Sequence, residues 1–268
     1  FTTQSHTRCT LCAAKSWSMM RRYGGDYMFL DHRTIRKFSS HRLDPTCLTR
    51  LITVAQHTAT SHFLQSFSII HITDPNVRAQ IAVISKQAYI NGNGELLIFV
   101  ADQYRASLCA DTPNTLGSAD KFIQATSDTL LAAQNLVNAA EAQGLGTVIL
   151  GSILNDPMQL IALLHLPKFT FPICGVIVGY PDQVPQFKPR LPQALMNFEN
   201  SYVLPDDWQT QLADYDQVIA RYYATRDTNR REETFSHLLA NGAAQTPAKR
   251  GELLHALHAQ GFLDSSIN

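Results

Sequence analysis

The chain has 268 residues, of which 45% are hydrophobic and only 16% charged, against roughly 25% charged in an average globular protein. Twenty-two Lys and Arg balance twenty-two Asp and Glu, so the broad positive field that draws nucleic acids or anionic membranes is missing and any anion site must be local. The length suits one continuous core, and the apolar excess points to surface buried between subunits. No apolar run nears the roughly 18 residues of a bilayer span, and residues 1–17 lack the hydrophobic core of a signal peptide, so a cytoplasmic protein is expected.

Residues 1–30 are polar, broken by Gly24-Gly25 and without helical or strand period. They read as an N-terminal extension, disordered or non-native, ahead of a single domain over 31–268. From Asp44 the pattern is clear: Asp44 is a helix N-cap, Pro45 takes the first helical position, and Leu48, Leu51, Ile52 and Ala55 share one face. A strand is expected at 66–72. Asp74-Pro75 opens a second helix with Val77, Ile81 and Ile84 inward, and an Asn-Gly-Asn-Gly turn leads into a buried strand at 96–102. The longest helix is expected at 118–143, where Leu130, Leu131, Ala133, Leu136, Val137 and Ala140 cover more than half the circumference, so it is central to the core or faces another subunit. Gly144 stops it. A strand at 147–150, a helix through Met158, Leu160, Ile161 and Leu164, and a strand at 173–179 follow. Prolines keep 180–192 irregular, and then come a helix at 208–226, a basic stretch, and a last helix with Thr246 as N-cap and Pro247 in its first turn. One sheet flanked by helices accommodates this order.

Cys9, Cys12, Cys47, Cys109 and Cys174 are odd in number and scattered, which suits reduced thiols. The Cys9–Cys12 pair lacks the two further ligands of a zinc site, and ten histidines fall at no ligand spacing, so no metal is expected. No nucleophile elbow, P-loop or dinucleotide fingerprint is present. Two compact basic motifs stand out, His32-Arg33-Thr34-Ile35-Arg36 and Lys188-Pro189-Arg190. They suit one phosphate, or else are solvated turns; these residues alone do not decide.

The segments HRTIRKF, AQHTATSHFLQSFSIIHITD, AAQNLVNAAEAQGLGTVILGS and KFTFPICGVIVGYP, followed by KPRLP and ENSY, together resemble the FMN-dependent nitroreductase superfamily. They are most similar to its oxygen-insensitive NADPH nitroreductase and flavin reductase group. The likeness runs in order from His32 to Arg231.

That resemblance implies an α+β fold, with a central, mostly antiparallel sheet flanked by helices, and an intertwined homodimer with FMN between the chains. It implies phosphate contacts from His32, Thr34, Lys188 and Arg190, with Arg33 beside the ribityl chain. Arg36 maps to the pyrimidine edge of the flavin, Thr60, Ser61 and Gln65 to a polar stretch along it, and Gln87 to its polar edge. Leu150 and Gly151 map to a backbone approach to flavin N5, and Phe63 to the substrate face, with a core aromatic as its alternative reading. The activity implied is ping-pong, two-electron reduction of nitro compounds, quinones or related flat electrophiles by NADPH, with NADH possible. No protein nucleophile or nucleic-acid partner is needed. Arg226, Arg230 and Arg231 resemble the loop that meets the extra phosphate of NADPH, with Asp227 standing where the family has glycine and Leu154 where close relatives have a basic residue. Release of free reduced flavin, or flavin binding without turnover, are the alternatives.

Overall fold

A computed structural model describes residues 30–112, 115–227, 229–246 and 248–263. Apart from Leu30, the expected extension, with Cys9 and Cys12, lies outside these residues. The helix starts read at Asp44, Asp74 and Ser118 are present. Helix α1, Pro45–Gln56, is capped by Asp44, whose carboxylate accepts from the Thr46 N–H at 2.7 Å, and buries Leu51 and Ala55. After strand β1, Phe67–Ile72, helix α2, Pro75–Ser85, is capped in the same way by Asp74. Strand β2, Glu95–Asp102, and the short helix α3, Tyr104–Cys109, come next. Ser118 caps α4, Ala119–Glu141, which leads to β3, Gly146–Leu150, α5, Pro157–Leu163, and β4, Thr170–Gly179.

The four strands form one antiparallel sheet in the order β1-β2-β4-β3. Central β2 is apolar on both faces, and both are covered. Leu96, Ile98 and Val100 pack with Ile81 and Ile84 of α2, while Leu97 and Phe99 pack with Ala132, Leu136, Val137 and Ala140 of α4. Strand β4 begins before the expected residue 173, because a register shift between Phe99 and Val100 makes room for Pro172 within the ladder. Cys174 is 3% exposed, and burial pushes its thiol up to about 12.

Outside β3 a strap crosses the sheet edge: Thr34 bridges Thr147 in parallel, and the Ile35 N–H donates to the Thr147 carbonyl at 2.8 Å. A side chain at Gly146 would place its Cβ 2.7 Å from Ile35, so only glycine admits the strap.

The described residues form two compact units, one running to Val184 and resuming at Ala248, the other Pro185–Pro247. The second is built on α6, Trp208–Thr225, and α7, Phe235–Ala244, around Tyr215, Ile219, Tyr223 and Phe235. Helix α7 was not expected: it buries no residue, so it leaves no apolar period. In the first unit, α8 starts at Leu253, with Glu252 at its cap and a 3-10 turn at Ala248–Glu252 before it, which corrects the start expected at Thr246. Lys249, Arg250 and Gly251 have no apolar face to bury, and the helix forms where leucines supply one. It anchors through Phe262, fully buried, and through the Gln260 amide, which donates to the carbonyls of Pro167 at 2.8 Å and Thr170 at 2.9 Å. Among the described residues no helix is long and apolar enough to cross a membrane.

Candidate functional site

The candidate residues fall into three groups. The first surrounds the β3 edge. His32 pairs through Nδ1 with Glu141 at 2.8 Å, and the same carboxylate oxygen accepts from the Thr147 hydroxyl at 2.8 Å. The end of α4 thus orients the imidazole against the sheet. Arg33 and Thr34 are half-buried on the strap, and exposed Arg36 has its guanidinium carbon 6.0 Å from the Tyr89 ring centroid. Tyr89 lies in the 3-10 turn Ala88–Asn91, whose N-cap is Gln87, so the structure brings Arg36 to the Gln87 turn. At the exit of β3, Leu150 is buried and Gly151 exposed. A Cβ at Gly151 would meet only the Arg250 guanidinium, at 3.8 Å, and the Gly151 carbonyl accepts from that group at 3.2 Å. The backbone at Gly151 is thus exposed, with space for more than a hydrogen beside it.

The second group is the loop before β1. Its course is unusual: His62, Phe63 and Gln65 all have left-handed backbones, with φ of 50°, 62° and 50°, which costs a non-glycine residue roughly 1 kcal/mol or more. The loop is held from two sides. Asp128 of α4, 1% exposed, accepts from the Ser61 N–H at 2.9 Å and the Ser66 N–H at 3.0 Å. Arg105 of α3 donates to the carbonyls of Gln65 at 2.5 Å and Phe67 at 2.9 Å. Thr60 and Ser61 are half-buried, whereas Gln65 is exposed and Phe63 is 83% exposed. Phe63 is therefore not a core aromatic.

These two groups do not meet within one chain. The strap lies against Thr147, level with Val178 and Glu95, whereas the loop enters at Phe67, opposite Ala101. Six residues of β2 and the full width of the sheet separate them, about 20 Å along and about 14 Å across at ordinary strand dimensions. They occupy diagonally opposite corners.

The third group lies in the second unit. Buried Tyr215 donates its hydroxyl to the Pro189 carbonyl at 3.1 Å, fixing the segment that carries exposed Lys188 and Arg190. Burial pushes the Tyr215 hydroxyl up, with Arg190 opposing. At the end of α6, Arg226 and Arg231 lie over the Tyr223 ring at 5.3 and 4.2 Å, and the Arg230 guanidinium donates to the Arg226 carbonyl at 2.7 Å. Glu233 accepts from His237 at 2.7 Å and Arg231 at 3.1 Å, which holds its carboxyl below the usual range, His237 contributing most. Two arginines thus share one aromatic platform and the third is tied to the backbone of the first, with Asp227 exposed beside them.

Glu141, Asp128 and Tyr223 escaped the sequence reading. Asp128 alone left a signal: it is a carboxylate in register with the apolar stripe of Ala132, Ala133 and Leu136. Among the described residues no cluster of His, Cys, Asp and Glu is arranged to hold a metal ion.

The model of the Nitroreductase family matches residues 30–180, and that of the Nitroreductase family, C-terminal domain, matches residues 188–265. An NADPH-dependent oxidoreductase of Staphylococcus saprophyticus is 35% identical over 241 residues, covering 87% of this chain and 95% of its own. An FMN reductase (NADPH) of Bacillus subtilis is 35% identical over 225 residues, 81% of this chain and 90% of its own. The solved structure of the NfrA1 nitroreductase from B. subtilis aligns with a TM-score of 0.83 at 33% identity, over 88% of this chain and 98% of that one.

Proposed function

Because this chain belongs to the nitroreductase family, matched in its main and C-terminal segments, we propose that residues 31–268 act as an FMN-dependent NADPH oxidoreductase reducing nitro compounds, quinones or related flat electrophiles, as a homodimer. The observation that carries the reading is the separation of strap and loop at opposite corners of one sheet. Each chain then offers two half-sites, and a flavin lined by both groups draws the strap of one chain and the loop of its partner. The residues fit FMN. An imidazole fixed by Glu141, a guanidinium and a hydroxyl on one strap suit a phosphate dianion, and the exposed, side-chain-free backbone at Gly151 suits close approach of a ring.

The chemistry supplied by bound FMN is two-electron hydride transfer from NADPH to an acceptor in alternating half-reactions. On this reading His32, Arg33 and Thr34 hold the phosphate, with Lys188 and Arg190 as further phosphate ligands. Arg36 keeps a fixed cation, and Gln87 an amide, at the polar edge of the ring. Thr60, Ser61 and Gln65 line the flavin, Leu150 and Gly151 bring backbone to it, and Phe63 limits what stacks on its face. Arg226, Arg230 and Arg231 meet the extra phosphate of NADPH. Free flavin as acceptor is the second reading, favoured by the relative named FMN reductase (NADPH).

The test is an anaerobic titration. The purified protein should be yellow, bleach on addition of NADPH, and recover colour with a quinone or with free FMN according to the acceptor. A colourless protein inert toward NADPH would end the proposal, and a yellow one that does not bleach would be a flavin carrier.

A further inference from the structure

Asp128 holds the loop before β1 but has no part in the flavin reading above. It is 1% exposed on a buried helix face that carries Ala125, Ala132, Ala133 and Leu136 beside the uncharged Thr129, and both its oxygens are used by backbone donors at the two ends of one loop. A buried carboxylate is costly unless hydrogen-bonded, and an apolar residue would serve packing as well. What the carboxylate adds is a fixed span between Ser61 and Ser66. Within that span three non-glycine residues keep left-handed backbones and Phe63 stands 83% exposed, with little packing of its own to hold it. Arg105 secures only the carbonyl side of the loop, at Gln65 and Phe67. The donors at Ser61 and Ser66 bracket all three strained residues, so Asp128 fixes both ends of the strained span while Arg105 holds its Gln65 end alone.

We propose that Asp128 is the positioning residue of the acceptor site: by clamping Ser61 and Ser66 it holds Phe63 out over the face where the acceptor stacks. This rests on the flavin reading above for the role of Phe63, and on the structure alone for the clamp. Asp128 touches neither flavin nor acceptor; it acts through the loop.

Asp128→Asn keeps the shape but turns one acceptor oxygen into a donor facing an N–H, so one end of the loop is released. In the holoenzyme, chymotryptic cleavage after Phe63 should then speed up about tenfold or more, the scale of a lost charge-assisted hydrogen bond, while cleavage after buried Phe99 stays slow. KM for a benzoquinone acceptor should change by about fivefold or more, with kcat per bound FMN within about twofold. Phe63→Ala should shift the same KM, and the double variant should show no further change, since both act on one ring. Asp128→Asn with the loop still protected and acceptor KM unaltered would overturn the proposal. So would a fall in kcat per bound FMN at constant KM, the mark of a merely structural role, or additive effects in the double variant. If the wild type binds no FMN and turns over no acceptor, the flavin reading falls and the acceptor role with it, while loop cleavage separately reports the clamp.

Discussion

Arg190 turns its guanidinium back to the carbonyl of Lys188, at 2.8 Å, a neutral partner that a phosphate would replace with a charged one. Replacing Arg190 with Ala should weaken FMN by about 1.5–3 kcal/mol, the range for a charge-assisted hydrogen bond, with Lys losing less; FMN fluorescence titration measures both. Unaltered affinity would remove Arg190 from the site. Two thiols give a contrast at the same scale. Cys109 is exposed and Cys174 buried with its thiol pushed up to about 12. The thiolate is the nucleophile, so iodoacetamide at pH 8 should label Cys109 within minutes and Cys174 only on unfolding, as peptide mapping would show. The sign follows from the raised value: the stability tied to the neutral Cys174 thiol is complete below its ordinary value of 9.0 and is lost as pH rises toward about 12.

At the scale of elements, the end of α6 tests the nicotinamide preference. With Arg226 and Arg231 stacked on Tyr223 and Arg230 bonded to the Arg226 carbonyl, the cationic cluster is preorganised. Arg226→Ala with Arg230→Ala should cost about 1–2 kcal/mol, or about five- to thirtyfold in kcat/KM, with NADPH and little with NADH. Asp227→Gly should improve NADPH use alone. Equal effects on both cofactors in steady-state assays would leave these arginines as surface charge. The elements themselves differed in legibility. Caps such as Asp44-Pro45 and Asp74-Pro75, and the run from Leu96 to Val100, are local signals and were readable because burial on both faces leaves no polar alternation to confuse the strand. Helix α7 was not readable because it buries no residue, and the loop around Phe63 and the use of its tether Asp128 were not readable either. The loop depends on the contact between Ser61 and Asp128, 67 positions apart, and no window of the sequence contains both. The basic clusters could be seen in the sequence, but not that strap and loop stand at opposite corners.

Across the whole molecule, α4 carries an outward stripe the fold leaves uncovered: Ile123 is 63% exposed, Leu130 48% and Leu131 50%, with Ile149 of β3 at 44%. The breadth of apolar positions on this helix was evident in the sequence, and the structure divides them between a buried face and this stripe. If the stripe joins two chains and each flavin takes a half-site from both, subunits and cofactor belong to one equilibrium. Dilution should release FMN and dissociate the protein together, with sedimentation and flavin fluorescence giving coincident midpoints. A monomer that stays yellow would separate them.

An open β-sheet invites foreign strands along its borders. On the β3 side the strap occupies that border through Thr34 and Ile35, so the stretch proposed to grip the phosphate also guards against aggregation. Gly146→Ala, which drives a methyl group into Ile35, should therefore appear first as turbidity and thioflavin binding of the ligand-free protein, and added FMN should suppress both by pressing the strap into place.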